Sequence, residues 1–143
     1  MKVFETSTVI HAEPDRIWAL LTDAPAYPSW NTTVDKVEGT IALGQKIKVF
    51  AKISPDRAFP VKVAELVPME RMVWSNAMPL GLFKGERTFT LTKKDGAVEF
   101  SMREVFSGLF SPMIERTIPD LQPAFDEFAA ALKKRAESAK GDS

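Results

Sequence analysis

Two side chains in the second half of the sequence have the types and spacing for acid–base chemistry. Arg87 and Glu104 lie in two alternating stretches of apolar and polar residues, on either side of the dipeptide Asp95–Gly96. In that pattern both charges fall on the face that carries the phenylalanines. An arginine there can stabilise a developing enolate oxygen, and a carboxylate can act as a base. The alternative is a structural salt bridge at the rim of a sheet, worth under ~1 kcal/mol if exposed.

The dipeptide Asp95–Gly96 predicts a β-hairpin closed by a two-residue type I′ turn. That turn fixes the register and sets Arg87 opposite Glu104. A shift by one residue would move the large apolar side chains to the solvent face. Besides the charged pair, the face carries five candidate ligand contacts: Phe89, Leu91, Phe100, Met102 and Phe106.

Further candidate contacts lie just before the hairpin and just after it. Trp74 and Asn76 alternate along MVWSNAM, so they share one side of a predicted strand. Facing a cavity, they would offer a stacking surface and a hydrogen-bonding group; ordinary core packing is the alternative for Trp74. Leu82 and Phe83 in PLGLFKG form either an apolar flap, faced across an opening by Phe110 in FSGLFSP, or a plug for the core.

Other catalytic groups are scarce in this sequence. It contains one histidine, His11, and no cysteine, so nothing predicts a metal site or a thiol nucleophile. It has no Gly-x-Ser-x-Gly motif, no phosphate-binding loop and no dinucleotide fingerprint. We therefore predict no metal and no cofactor, and whether the protein is an enzyme stays open at this point.

Length and charge narrow the class of protein. A chain of 143 residues that is 45% hydrophobic has the size of one domain with a substantial core. Lysine plus arginine (19) equals aspartate plus glutamate (19), so we expect no nucleic-acid partner. No apolar run reaches transmembrane length, and the start lacks a signal-peptide pattern. We predict one cytoplasmic domain over 1–143, with a frayed tail from about 137, without stable membrane insertion, as a monomer or weak dimer.

The elements that must position these side chains follow a distinctive order. KVFETSTVIH predicts a strand, EPDRIWALLTD a short helix, and APAYPSWN a short helical turn. KIKVFAKI, FPVKVAELV and RMVWSNAM predict three more strands before the hairpin. The sheet built from these strands needs an apolar cover, which only the C-terminal segment offers.

The C-terminal segment predicts a long amphipathic helix. Its apolar side chains recur at steps of four and three, which gives one stripe facing the sheet. Pro119 and Pro123 each remove a backbone donor, so we expect a kink or two joined helices there. The stripe includes four candidate ligand contacts: Ile114, Ile118, Leu121 and Phe125.

This order of elements, with IWALLTD, YPSWN and GERTFTLT…EVFSGL in place, resembles the START-related helix-grip superfamily. More narrowly it is similar to the polyketide cyclase/dehydrase-like (SRPBCC) group, over roughly residues 4–136. The resemblance implies an α+β fold in which a curved antiparallel sheet wraps around the long C-terminal helix, with two short helices after the first strand. It also implies a deep cavity between sheet and helix for an apolar or aromatic small molecule.

Three functions agree with the resemblance, because this fold hosts more than one. The first is a carrier or sensor that binds a small hydrophobic or aromatic molecule, lipids included, in the cavity. The second is a cofactor-independent cyclase or aromatase that uses Arg87 and Glu104. The third is a protein-interaction module of the chaperone-activator type, which requires a filled interior and an exposed apolar patch.

Overall fold

The structure is a computed structural model that describes residues 1–54 and 56–138. Over this part of the chain it contains seven strands, four α-helices and three short 3₁₀ turns. The predicted tail falls mainly on 139–143, outside the described residues. The elements are β1 (Lys2–Ile10), α1 (Pro14–Thr22), α2 (Tyr27–Trp30), β2 (Val34–Glu38), β3 (Lys46–Ala51), β4 (Phe59–Val67), β5 (Arg71–Ala77), β6 (Lys84–Lys94), β7 (Ala97–Ser107), α3 (Ser111–Ile114) and α4 (Gln122–Glu137).

The described strands form one antiparallel sheet in the order β1-β7-β6-β5-β4-β3-β2. Strands β2 to β6 each pair with the next strand along the chain, whereas β1 pairs with β7. The sheet curls into a half-barrel, and α4 lies on its concave side. The predicted α+β helix-grip fold, with two short helices after the first strand, is confirmed.

The predicted register of the β6–β7 hairpin is confirmed, but the predicted turn type is wrong. Lys94 pairs with Ala97, and Arg87 pairs with Glu104. Gly96 has a φ of 70°, and the only non-glycine residues with positive φ in the described chain are Met69 and Leu80. A type I′ turn needs positive φ at both central residues. In this turn only Gly96 has a positive φ. Asp95 therefore avoids the steric clash that a Cβ makes in that conformation.

The C-terminal segment is interrupted as predicted. Helix α3 ends at Ile114, a 3₁₀ turn follows, and α4 begins at Gln122 with Pro123 in its first turn. Pro119 lies in the irregular stretch between them. A proline lacks the amide hydrogen that a helix interior needs, whereas the first turn tolerates it. The two prolines therefore place the start of α4 part-way along the sheet.

One half of the sheet–helix interface is densely packed, and we call it the packed half. It is the half that lies furthest from the first residue of the chain. Its centre is Phe128 of α4, whose ring stacks on Phe100 with centroids 6.2 Å apart. Trp30 meets the same ring edge-on at 5.7 Å, and Phe89 lies at 6.1 Å. Burying a large apolar side chain contributes about 1.5–3 kcal/mol, so this region supplies much of the stability. The packed half consists of Met72, Phe89, Leu91, Phe100, Met102 and Phe128.

Candidate ligand-binding site

Strand pairing aligns one row of side chains across the inner face of the sheet. Directly opposite residues share a face, so the row can be read from the register of five neighbouring strands. The row consists of Val63, Trp74, Arg87, Glu104 and Phe4. Trp74 and Phe4 are only 4% and 5% exposed. The charged pair therefore lies between buried aromatic side chains and not at the rim of the sheet.

The ion pair in this row leaves several polar atoms free. Arg87 Nε donates to Glu104 Oε1 at 2.6 Å, and the two side chains are 23% and 14% exposed. The guanidinium carbon lies 4.7 Å from the ring centre of Phe125, a cation–π contact with α4. Within residues 1–54 and 56–138 neither side chain makes another hydrogen bond. The Nη groups of Arg87 and Oε2 of Glu104 are thus available to a ligand.

Buried donors without acceptors lie on β5, next to Arg87, and at the end of α2. Among the described residues, the indole Nε1 atoms of Trp74 and Trp30 and the amide Nδ2 of Asn31 have no partner. Both indoles pack against Tyr27, with ring centroids 6.2 and 5.0 Å away. Asn31 Oδ1 is already satisfied, because it accepts two hydrogen bonds from Thr33. A buried donor left unpaired costs about 1–3 kcal/mol, so any acceptor that reached one of these groups would gain from the contact.

Tyr27 stands behind this cluster as a fixed group. Its hydroxyl donates to the carbonyl of Leu21 at 2.6 Å, and the side chain is fully buried. Burial raises the pKa of the Tyr27 hydroxyl far above its ordinary value, while the charge of Arg87 opposes that rise. The phenol is therefore protonated at neutral pH and supports the two indoles without taking part in proton transfer.

Beyond the row, towards the loops, the inner face is more open. Asn76, Gly85 and Phe106 follow as neighbours on β5, β6 and β7. Asn76 is exposed, and the ring of Phe106 leans over Gly85, where an added Cβ would lie 3.1 Å from it. Phe106 stacks on Phe83, with ring centroids 5.8 Å apart and planes at 17°. An aromatic pair therefore covers the charged row from this side.

The helix covers only one end of the row. Because α4 begins after Leu121, Phe125 lies over Arg87, whereas Ile114 and Ile118 belong to the segment before the helix. Ile114, Ile118 and Leu121 are all half-buried. We call this region, from the Arg87–Glu104 pair outwards to the loops at 78–83 and 108–113, the open end.

The two loops of the open end do not face each other across an opening, so that interpretation is wrong. Leu109 N donates to Gly81 O at 3.1 Å, and Phe110 N donates to Leu82 O at 2.7 Å. The loops lie side by side because these bonds join their backbones. Leu82 is half-buried and Phe110 half-exposed.

The predicted contacts divide between the two regions. The packed half takes Phe89, Leu91, Phe100 and Met102 into the core. At the open end Trp74 pairs with Arg87 across the strands, Phe125 lies over Arg87, and Phe83 stacks on Phe106. The remaining predicted contacts are half-buried or exposed: Asn76, Leu82, Phe110, Ile114, Ile118 and Leu121. As ligand contacts all of these residues stay predictions.

Three residues of this part of the structure were not singled out from the sequence, namely Phe4, Tyr27 and Asn31. Trp30 is predicted to pack in the core, and its burial confirms this. A usable signal existed for Tyr27, which lies three residues before Trp30 in a helical turn, so both are on one face. Phe4 shares alternation with Thr6 and Ile10 in β1, and all three are buried. Nothing local marks Asn31.

Two surface grooves lie outside this region. One of about 460 Å³ is lined by polar residues that include Glu5, Glu99 and Asp126. The other, about 740 Å³, lies between the start of α1 and the β4–β5 turn and includes Met69 and Leu91. Neither contains Arg87 or Glu104, so the interior cavity that the resemblance implies stays a prediction.

The described part of the chain offers neither a metal-binding cluster nor a membrane-spanning helix. No cluster of three or more histidine, cysteine or acidic side chains there could hold a metal ion. None of the described helices has the length and apolar character needed to cross a bilayer. A cytoplasmic location and a monomer or weak dimer stay predictions.

Comparison with protein families decides where the chain belongs. The family described as polyketide cyclase / dehydrase and lipid transport matches residues 1–137. The chain belongs to this family. The resemblance inferred from the order of elements is thereby confirmed. No curated protein matches the chain at a significant level.

Solved structures share the family's fold at low identity. The Aha1 dimer from Colwellia psychrerythraea is 22% identical, with 99% of this chain and 100% of that chain covered and a TM-score of 0.73. A START superfamily protein from Mycobacterium smegmatis is 15% identical (94% and 97% covered, TM-score 0.69). The di-domain ARO/CYC protein BexL from the BE-7585A biosynthetic pathway is 14% identical, with 96% of this chain but 47% of BexL covered and a TM-score of 0.71. At these identities the likeness shows the fold alone.

Proposed function

We propose that this protein is a carrier or sensor for a small molecule with an apolar or aromatic body and an oxygen-bearing polar group, bound at the open end. The partly buried Arg87–Glu104 pair carries the proposal. Such a pair adds little to folding, because the cost of removing charges from water offsets their attraction. Its free Nη groups and carboxylate oxygen suit a ligand's polar group, since charge-assisted hydrogen bonds are the strong ones.

The apolar body of the ligand would lie among the half-buried side chains around the pair. Phe83 and Phe106 would cover it from the loops, and Ile118 and Leu121 from the segment before α4. The family description includes lipid transport, which supports an apolar ligand class. The irregular stretch at 118–121 is the natural place for entry, because no helical hydrogen bonds need to break there.

A pair of fluorescent probes tests the polar part of the proposal. The probes 1-anilinonaphthalene-8-sulfonate and N-phenyl-1-naphthylamine share an aromatic body, but only the first carries an anion. We expect the protein to prefer the sulfonate by roughly tenfold, since a hydrogen bond to a charged group is worth about that factor. The double variant Arg87→Met/Glu104→Leu should lose this preference and retain the neutral probe.

A matched control removes a different ion pair from the same strand. Lys84 and Glu86 are paired at 3.2 Å and exposed, so Lys84→Met/Glu86→Leu should keep the preference. The proposal fails if both double variants behave alike, or if the protein shows no preference. It also fails if Leu80→Asn, in the exposed loop, abolishes the signal, because the probes would then bind the loop surface.

The second candidate function is a cofactor-independent cyclase or aromatase. It is favoured by one observation, namely that Glu104 Oε2 has no partner in the described chain while Arg87 lies against it. Glu104 would remove a proton and Arg87 would stabilise the enolate. Glu104→Gln should then abolish turnover of a bound polyketone while leaving its affinity within about threefold.

The third candidate is an interaction module of the chaperone-activator type. The packed half and the exposed loops at 78–83 and 108–113 agree with its two requirements. It gives no role to the charged pair or to the unpaired indole and amide donors. Native mass spectrometry of freshly purified protein separates it from the first proposal, because a co-purified hydrophobic molecule is expected only of a ligand binder.

A further inference from the structure

Two loops of the open end together expose a group of large apolar side chains. These are Met78, Leu80, Leu109, Phe110 and Met113. They include Leu80 at 93%, Leu109 at 74% and Met113 at 65% exposed. Contiguous exposed apolar side chains mark interaction sites, whereas single ones are ordinary. We call this group the loop tip.

The loop tip is held in place by its own backbone. Three hydrogen bonds support it: the two that join the loops, and one from Met78 N to Phe83 O at 2.8 Å. Gly108 has a φ of 115°, and a Cβ there would lie 2.7 Å from the Cα of Phe83. The loops therefore touch so closely that they present the apolar side chains as one fixed surface.

Leu80 is exposed at a conformational cost. Its φ is 62°, a left-handed conformation that side chains with a Cβ rarely adopt. A glycine or asparagine would fit this position with less strain. Strain of this kind at an exposed apolar residue points to a function for the side chain and not to stability.

The charges around the loop tip indicate what covers it. Residues 78–83 and 108–114 contain no charged side chain. The nearest acids are neutralised, since Glu86 pairs with Lys84 and Glu115 with the amino group of Met1, both at 3.2 Å. Arg116 has no ion-pair partner among residues 1–54 and 56–138. The result is an apolar tip with one cation near its border, Arg116, that no acid of the described chain neutralises.

We propose that the loop tip docks on the surface of a lipid bilayer. The apolar side chains enter the interface, and Arg116 lies at the level of lipid phosphates. A second copy of the chain fits less well, because a stable dimer buries about 20 residues a side and the loop tip offers five. Docking would be peripheral, which agrees with helices too short to span.

Vesicle flotation tests this proposal without any ligand. The vesicles are pure phosphatidylcholine, or three parts phosphatidylcholine to one part phosphatidylglycerol. We expect the protein to float with both and more with the anionic mixture. Leu80→Asn/Leu109→Asn should weaken binding at least tenfold, because burying one leucine side chain is worth about that factor.

The control is Leu43→Asn. Leu43 is 63% exposed and lies in the β2–β3 connection, at the β2 edge of the sheet and outside the loop tip, so its replacement should leave flotation unchanged. Unfolding by urea checks the fold, and Leu80→Asn alone should be as stable as the parent or more so.

Three results would overturn docking on a bilayer. The first is that the parent protein floats with neither kind of vesicle. The second is that Leu43→Asn weakens flotation as much as the loop variants do. The third is that sedimentation velocity shows a dimer that the loop substitutions dissociate, which would assign the surface to a second copy. Because the probe titration of the Arg87 site uses no lipid, either proposal can fail while the other stands.

Discussion

The packed half and the open end are made from the same strands and the same C-terminal segment, yet they differ in chemistry. In the packed half, Phe89, Phe100, Met102 and Phe128 are almost completely inaccessible and interlock. At the open end the ion pair, Trp74 with its unpaired indole donor, and the buried rings of Phe4 and Phe106 occupy the equivalent positions of the sheet. The first arrangement is what stability demands, and the second is costly unless something binds there.

The cause of the difference is where α4 begins. Since Pro123 is tolerated only in the first turn, the helix covers the sheet from Phe125 inwards. Outside that point only α3 and irregular chain cover the strands. The packed half thus acts as the scaffold that keeps the residues of the open end in position.

The largest expected effect tests whether the packed half provides the stability. Phe128→Ala should lower the free energy of unfolding by about 3–5 kcal/mol, because it removes the ring at the centre of the aromatic cluster. Phe83→Ala, at the open end, should cost only about 1 kcal/mol. Urea denaturation measures both, and equal costs would refute the division into two regions.

A second test concerns the rigidity of the loops. Gly108→Ala should cost about 3 kcal/mol, because the new Cβ meets the backbone of Phe83 and the positive φ is strained as well. Gly44→Ala is the control, since Gly44 has a φ of 81° but no atom within 4 Å of the added Cβ. Gly44→Ala should lower the free energy of unfolding by about 1 kcal/mol, which measures the backbone strain alone. If the two variants unfold at the same urea concentration, the loops are not tightly joined.

The charged pair offers an intermediate effect. Arg87→Met alone should cost about 1–3 kcal/mol, because it leaves the Glu104 carboxylate partly buried without its partner. Arg87→Met/Glu104→Leu should return to within about 1 kcal/mol of the parent protein or exceed it. A double-mutant cycle in urea separates these terms. A double variant that is less stable than either single one would make the pair a fold-specifying contact.

Acidification should have the smallest effect of these tests on stability, and it should act on groups at both ends of the molecule. The backbone N–H of His11, and then Lys133, hold the pKa of Glu137 below its ordinary value. At the open end the Ser111 hydroxyl does the same for the pKa of Glu115. A carboxyl group whose pKa is lower in the folded protein than in the unfolded chain stabilises the fold. That stabilisation is complete above the unfolded-state pKa and is lost as the pH falls through the folded-state pKa. Glu137→Gln should therefore flatten the acid side of the stability curve slightly; an unchanged curve would contradict this.

Several features could be predicted from the sequence because they depend on neighbours along the chain. The Asp95–Gly96 turn and the alternation around it predicted the pairing of Arg87 with Glu104. The prolines predicted the interruption before α4. The type of the hairpin turn was wrong, since the aspartate does not share the positive φ of Gly96. These are local rules of backbone geometry and side-chain period.

By itself, then, the sequence determined the order of elements, the apolar face of the hairpin and the charges within it. Only the tertiary structure decided what surrounds those charges. Phe4 reaches Glu104 because β1 pairs with β7 across a hundred residues of chain, and Tyr27 reaches Trp74 through the curl of the sheet. The loop tip likewise arises from bonds between loops that are distant in sequence. Such contacts depend on how the whole chain closes on itself, and no local pattern encodes them.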